Sequence, residues 1–281
     1  MARPTSTARR ELGEELRRLR ADRRGADVAG ALGWSESKLS RIETARTGIT
    51  ESDLDRLLTA YEVRFEDRSR LRELARRGRA RAWWTPYRSS MPDPYDEFLA
   101  LEAEATTMSE WECQIVPGLL QTDEYAKAII DAGVDIEDPE TAERRLSLRM
   151  ARQSVLTLDT RPRLSIVLDE SVLRREVGGR DVLDRQLQRL VEASRRPGVE
   201  ILVLPLEAGA HAALAESFII FDFPLGTRAP VVHCEGLTGG QFRTRPDDVR
   251  LYRSAFEDLR GRALPVEVSR TVIARSGDSP S

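Results

Sequence analysis

The side chains best suited to chemistry cluster between positions 30 and 48, in GALGWSESKLSRIETARTG. Here Ser35, Glu36, Ser37, Lys38, Ser40, Arg41, Arg46 and Thr47 bring hydroxyl, carboxylate, ammonium and guanidinium groups close together. Leu39 and Ile42 lie three apart and define an inward helical face, so the polar residues share the remaining face. Gly33 is placed to make a turn, and Ser35 is a good N-cap for the helix that follows. This is the pattern of the second half of a helix-turn-helix, whose second helix lies in the DNA major groove.

Groove chemistry divides these residues by role. Base edges in the major groove carry a distinct donor and acceptor pattern, and residues near the start of the recognition helix meet them most directly. Glu36, Ser37 and Arg41 are therefore the candidates for base contact: Arg41 as a bidentate donor to guanine, Glu36 as an acceptor from cytosine, Ser37 as a permissive partner. Ser35, Lys38, Ser40, Arg46 and Thr47 are better placed for phosphates, which fix register without reading sequence. Backbone amides at the start of the preceding helix offer a further phosphate contact. Glu43 reads as structural, pairing with an arginine to lock the unit, and Trp34 as an apolar lid.

Positioning such a helix requires a small all-α domain. Leu12, Leu16 and Leu19 predict a first helix over 8–24, and Val28, Ala29 and Leu32 a second over 26–32. The recognition helix spans 36–44. Thr50 with Asp53 resembles a capping box and opens a fourth helix with Leu54, Leu57, Leu58 and Tyr61 inward. The domain then covers 1–63. Residues 64–82 continue as a helical arm with Phe65, Leu71 and Leu74 as its apolar positions. Its arginines, Arg68, Arg70, Arg72, Arg76, Arg77, Arg79 and Arg81, fit a solvated connecting helix, with phosphate contact as the alternative. The three prolines of WWTPYRSSMPDPY, 83–95, break the helix and complete an arm and linker over 64–95.

Beyond the linker the texture changes to mixed α+β over 96–275. Helices are expected at 96–110, at 139–157, at 180–195, at 246–261 and from Thr122 through Ile130. Strands are expected at 111–116, 164–168, 199–204, 217–223 and 230–234, while 265–274 fits either. The tail 276–281 is polar and expected to be disordered.

The overall charge of −3 hides an asymmetry: residues 1–90 carry +7 and the remainder −10. That suits a DNA-binding head on an acidic body. No apolar run is long enough for a membrane span and no apolar leader opens the chain, so a cytoplasmic protein is expected. Cys113 and Cys234 give no disulfide framework and read as buried thiols. His211 and the run His233-Cys234-Glu235 show no metal-ligand spacing. A Cys234–His211 nucleophile pair is the weaker reading. Asp169-Glu170 reads as helix-capping acids, and Gly178-Gly179 and Gly239-Gly240 lack the phosphate-loop context. Neither enzymatic activity nor a cofactor is expected. A deep polar pocket holding His211 or His233 with a shifted pKa would point the other way.

The core Ser37-Lys38-Leu39-Ser40-Arg41-Ile42-Glu43 resembles the Xre/Cro/phage-repressor family, over residues 8–63. Trp83-Trp84, then Tyr95, Phe98, Leu101 and Glu102, and above all VPGLLQT at 116–122 with Tyr125-Ala126, are similar to a large actinomycete regulator family. Ser217-Phe218, Phe221-Asp222-Phe223 and Val231-Val232 before Glu235 extend the likeness. In that family an Xre-type head precedes a C-terminal domain of unassigned biochemical role. The resemblance implies a lambda-repressor-like head and an antitoxin-like, nucleoid-associated transcription regulator, in a family connected to development and antibiotic production. A small acidic protein encoded nearby is then a candidate partner. Such heads usually bind double-stranded DNA as homodimers on near-palindromic operators, and the body would supply dimerisation, partner docking or sensing of a small-molecule effector. The alternative is an antitoxin-like adaptor that binds a small partner protein and touches DNA secondarily.

Overall fold

A computed structural model of the chain describes residues 7–79, 84, 87, 95–134, 138–157, 161–237 and 239–277. Trp83, Arg81 and most of the proline-rich linker lie outside this set, as do 278–281 of the tail and the side chains of Arg76, Arg77 and Arg79. The chain divides into two units, Met1–Thr85 and Pro86–Ser281.

The first unit is five helices: α1 (Thr7–Arg20), α2 (Gly25–Ala31), α3 (Glu36–Glu43), α4 (Glu51–Ala60) and α5 (Phe65–Arg79). Their apolar stripes meet in one core, with Leu12 and Leu16 from α1, Leu39 and Ile42 from α3, and Leu54, Leu57 and Leu58 from α4. Each such side chain contributes roughly 1.5–3 kcal/mol on burial. The first helix stops four residues earlier than its leucine spacing predicts, because Ala21 takes a left-handed φ of 50°. An alanine there carries no stop signal, whereas Gly33, with φ 68°, does. The amides of Gly33 and Trp34 donate back to Gly30 and Ala29, at 3.1 and 2.8 Å, which closes α2 and sets the turn.

Two corrections concern the fifth helix. Expected as a connecting arm, it is part of the head: Leu71, Leu74 and Ala75 join the same core, and α5 packs along α1. Phe65, expected to be inward, is 88% exposed. Its arginines staple it to the head. Arg70 pairs with Glu15 at 2.7 Å, Arg72 with Asp55 at 2.9 Å, and Arg68 donates to the Val63 carbonyl at 2.9 Å.

One close approach has no signature in the apolar pattern. A Cβ built on Gly13 would stand 2.6 Å from the Glu43 carbonyl oxygen, so α1 touches the C-terminal end of α3 through bare backbone. Gly13→Ala is therefore expected to destabilise the head by about 1–3 kcal/mol despite the better helix propensity of alanine. Urea unfolding reads this directly, and an equal or raised midpoint would refute the contact.

The second unit is a six-stranded mixed sheet in the order β3-β2-β1-β4-β5-β6. Its strands are β1 (Thr107–Glu112), β2 (Arg163–Asp169), β3 (Val199–Leu204), β4 (Phe218–Asp222), β5 (Val231–Cys234) and β6 (Gln241–Arg243). The first three are parallel to one another and the others pair antiparallel. The helices are α6 (Tyr95–Glu104), α7 (Asp123–Asp131), α8 (Pro139–Arg152), α9 (Arg180–Ala193), α10 (Pro246–Arg262) and α11 (Val266–Gly277). The fold is thus an all-α helix-turn-helix region followed by a mixed α+β body.

Strand alternation assigns the two faces of the sheet. Trp111, Val167, Leu202, Phe218, Ile220, Val232 and Cys234 share one face with Val249, Phe256 and Leu259 of α10. The opposite face carries Glu110, Ile219, Phe221 and His233, which are paired across β1, β4 and β5. Phe98 of α6 meets Phe221 edge-to-face there and lies tilted against His233.

Several body elements differ from expectation. The helix expected at 96–110 ends at Glu104, and the first strand lies at 107–112 rather than 111–116. TMSEWE hides its strand character because Glu110 and Glu112 occupy the inward face, where alternation calls for apolar residues. The expected helix 139–157 ends at Arg152 and finishes as a short 3-10 turn, and the undecided stretch near 265–274 is helix α11. The edge strand β6, three residues with no buried side chain, left no pattern to read.

Candidate functional site

The recognition helix is held by its cap, its core residues and one ion-pair cluster. Ser35 accepts from the Lys38 amide at 3.2 Å, as an N-cap should. Leu39 and Ile42 are buried. At the far end Glu43 receives the Arg20 guanidinium through both oxygens, at 2.7 and 3.2 Å, and the Tyr61 hydroxyl at 3.3 Å. Burial, then the Glu43 charge, pushes the Tyr61 hydroxyl well above its ordinary pKa. Glu43 thus ties α3 to α1 and to the end of α4, the role expected of it.

This clamp leaves Glu36, Ser37, Ser40, Arg41 and Arg46 exposed, with Thr47 half-buried. Among the described residues no hydrogen bond or ion pair holds the guanidinium of Arg41 or Arg46. Ser35 is likewise exposed beside them. Lys38 is placed differently from expectation. Its ammonium pairs with Asp53 at 2.8 Å and lies 4.2 Å from the Trp34 ring centroid, so its charge is used inside the head. Trp34 itself packs partly buried against the core, as the lid reading has it. Arg24 stands at the N-cap of α2 without a side-chain cap, which leaves first-turn amides for an anion.

In the body, the VPGLLQT segment is a hydrogen-bonded hub between β1 and α7. Gln121 donates to the Val116 carbonyl at 2.7 Å and accepts from Arg149 at 3.0 Å. Gln186 of α9 accepts from the Thr122 amide and donates to the Leu120 carbonyl, at 2.7 and 2.9 Å. Thr122 caps α7, and the Tyr125 hydroxyl accepts from the Val116 amide. A Cβ on Gly118 would stand 3.4 Å from the Arg152 guanidinium, so the glycine lets α8 approach.

That hub borders a cavity of about 490 Å³ at the carboxyl end of β1. Its walls combine Tyr95 and Phe98 of α6, Arg149 and Arg152 of α8, and Glu110, Glu112 and His233 of the sheet. Arg152 is buried and paired with Glu102, its Nη2 at 2.7 Å from Oε2 and its Nε at 3.1 Å from Oε1; it also donates to the Tyr95 hydroxyl. Burial, opposed by Arg152, holds the Glu102 carboxyl above its ordinary pKa. Burial also pushes Glu110 up to about 8, with Arg152 opposing and Glu102 and Glu235 adding to the rise. Glu112 is raised by burial and then by Glu110, with the Ser217 hydroxyl bond opposing. Burial, with the nearby Arg152 charge, pushes His233 down to about 4, so its ring is neutral at pH 7.

The sequence reading singled out Tyr95, Phe98, Glu102 and Glu235, and the structure gathers them around this cavity. It missed Glu110 and Glu112, whose spacing of two on either side of Trp111 was the available signal. His211 lies elsewhere, edge-on to Trp111 at 5.1 Å. Cys234 does not meet it: its thiol donates to the Tyr252 hydroxyl at 3.3 Å, and Tyr252 in turn donates to Glu216. Asp169 and Glu170 are capping acids as expected, accepting from the Ser171 and Leu206 amides.

A helical head with an exposed recognition helix and an α+β body with a cavity lined by charged and aromatic side chains define a helix-turn-helix regulator with a separate C-terminal module. Comparison with known families agrees. A family model described as a helix-turn-helix domain matches residues 11–74, and one described as a domain of unknown function, DUF5753, matches residues 95–275. The chain belongs to the DUF5753 family. No curated protein and no solved structure matches it. Among the described residues no helix is long and apolar enough to cross a membrane.

Proposed function

We propose that this protein is a sequence-specific transcriptional regulator of the Xre type. In this reading it acts in the cytoplasm as a homodimer on a near-palindromic operator, with half-sites about one helical turn apart. The body supplies dimerisation, docking of a small acidic partner, or sensing of an effector, as in the antitoxin-like actinomycete regulators it resembles. His233 stands in the cavity with its pKa pushed down, the feature that would favour an enzyme, but its ring makes no hydrogen bond to a nucleophile or carboxylate among the described residues, and in this reading the body works by binding rather than by turnover. The observation that carries the reading is the unengaged Arg41 guanidinium beside exposed Glu36 and Ser37, on a helix that Glu43 and Arg20 hold in place. A guanidinium with no partner of its own is available to a guanine edge without breaking a bond.

Selection of bound fragments from random-sequence DNA tests this, with wild type and Arg41→Ala in parallel. Wild type is expected to yield a near-palindromic motif. Arg41→Ala is expected to lose about 1–3 kcal/mol of specific binding, roughly fivefold to 150-fold in affinity, and to blur one base position in each half-site. No enriched motif, at a salt that suppresses non-specific binding, would favour the protein-interaction adaptor instead. A mutant as tight and selective as wild type would remove Arg41 from the reading surface.

A further inference from the structure

The cavity of the body contains a carboxylate that the fold leaves unanswered. Glu110 is only 4% exposed, faces the cavity, and has no hydrogen-bond partner for its carboxyl group among the described residues. The carboxylate of Glu102 nearby has its partner, holding Arg152 through both oxygens. A carboxyl group set in the fold with no protein partner is left for water or a ligand in the cavity to satisfy. Beside it stands an aromatic wall. Tyr95 stacks on Phe98 at 5.5 Å between centroids, Phe98 meets His233 at 4.7 Å, and His233 meets Phe242 at 5.0 Å. The volume suits a compact organic molecule.

We propose that this cavity binds a small organic cation, a protonated amine carried on an aromatic ring, with Glu110 as its counter-charge. The charge balance supports an amine. Glu110 and Glu112 lie on one strand face with Glu235 beyond β5; with Glu102 they set four carboxyl groups against the guanidinium groups of Arg145, Arg149 and Arg152 of α8, so one added cation completes the balance once Glu110 ionises. His233 is neutral and adds no competing positive charge, and ring faces attract cations. The cation is organic rather than metallic, because no three carboxylates or imidazoles among the described residues converge closely enough to hold a metal ion. Arg149, whose described bond is to Gln121, keeps further N–H donors for an acceptor on the same ligand. The inference deepens the effector-sensing reading of the body and depends on it. Its test uses free protein without DNA, so a failed operator selection and a failed titration are separate results.

Calorimetric titration of the full chain with phenethylamine, tyramine and tryptamine, and with carboxylates of matching size (phenylpropionate, hydroxyphenylpropionate, indolepropionate), reads the preference. At least one amine is expected to bind with Kd of about 1 mM or tighter, and about tenfold more tightly than its matched carboxylate. The cavity without ligand keeps Glu110 protonated below about pH 8, with Glu112, Glu102 and Glu235 on one side, Arg145, Arg149 and Arg152 on the other, and neutral His233 beside them. Amine binding must expel that proton, so affinity should rise as pH approaches 8, with proton release at lower pH. Glu110→Gln should lose about tenfold or more in affinity and abolish this pH dependence. Gly240→Ala is a second probe: its Cβ would lie 1.8 Å from His233 Nε2, so the ring must swing and the aromatic wall is lost. The proposal is overturned by no amine binding near 1 mM, by carboxylates binding as well as amines, or by Glu110→Gln retaining wild-type affinity and pH dependence.

Discussion

Arg152→Met is expected to cost the body roughly 3–5 kcal/mol, lowering its melting temperature by about 6–20 °C. Both partners of the Arg152–Glu102 pair are almost fully buried, with side chains 7% and 3% exposed. Removing the arginine leaves a carboxylate in the interior with neither water nor a cation, which is the expensive way to break a buried pair. It also frees the Tyr95 hydroxyl and removes a guanidinium 4.9 Å from the Phe98 ring centroid. The double substitution Arg152→Met with Glu102→Leu should recover most of the loss, because the strength of the pair lies in its completeness and apolar replacements of similar volume pack as well.

The penalty has a direction with pH. Burial already holds Glu102 above the ordinary carboxylate range, and loss of Arg152 raises it further. The folded variant therefore holds its proton more tightly than the unfolded chain does. Its stability is present in acid and falls as pH rises through the folded-state pKa. Thermal melts of the wild type and of both variants across the acidic range should show the single substitution converging on the others at low pH. A single variant within about 1 kcal/mol of wild type at neutral pH would show that Glu102 finds another partner.

Glu43→Ala is expected to cost the head about 2–3 kcal/mol, and DNA binding with it. Three groups converge on this carboxylate: two guanidinium nitrogens of Arg20 and the Tyr61 hydroxyl. Arg20 retains some solvent, at 20% side-chain exposure, so its loss is discounted relative to the Arg152 pair. The functional consequence follows from geometry. With Glu43 gone, α3 loses its ion pair to Arg20 of α1, while the backbone contact between Gly13 and the carbonyl of residue 43 remains. Hydrogen exchange of the head amides, read beside operator affinity, separates this variant from Arg41→Ala. Glu43→Ala should loosen the head and weaken binding together, whereas Arg41→Ala should weaken binding with the head as protected as before. Unchanged exchange in Glu43→Ala would place the clamp elsewhere.

What was legible in the sequence is what short-range physics governs. Ser35, Thr50 and Thr122 announced helix starts because a cap acts on an amide three residues away, and each makes that bond. Leu39 with Ile42, and Leu54 with Leu57 and Leu58, announced inward faces because helical period alone decides which side they share. Val199–Leu204 was read at its full extent because a run of apolar β-formers fits little but a buried strand. Glu43 was read as structural, and it is.

The tertiary structure decided how charges are used. Arg68, Arg70 and Arg72 read as solvated, with phosphate contact as the alternative, and are spent on Val63, Glu15 and Asp55. Lys38 looked outward and is held by Asp53 and Trp34. Glu110 was expected at the end of a helix and Glu112 in the strand after it, neither with a role, and both line a cavity. Their partners lie tens of residues away in the chain or, for Glu110, are absent among the described residues. Helical and strand periods, caps and turns act over a few residues and can be read from order alone. The environment of a carboxylate or guanidinium depends on which elements fold across from it, and so the recognition helix was visible in the sequence while the cavity became visible only in the fold.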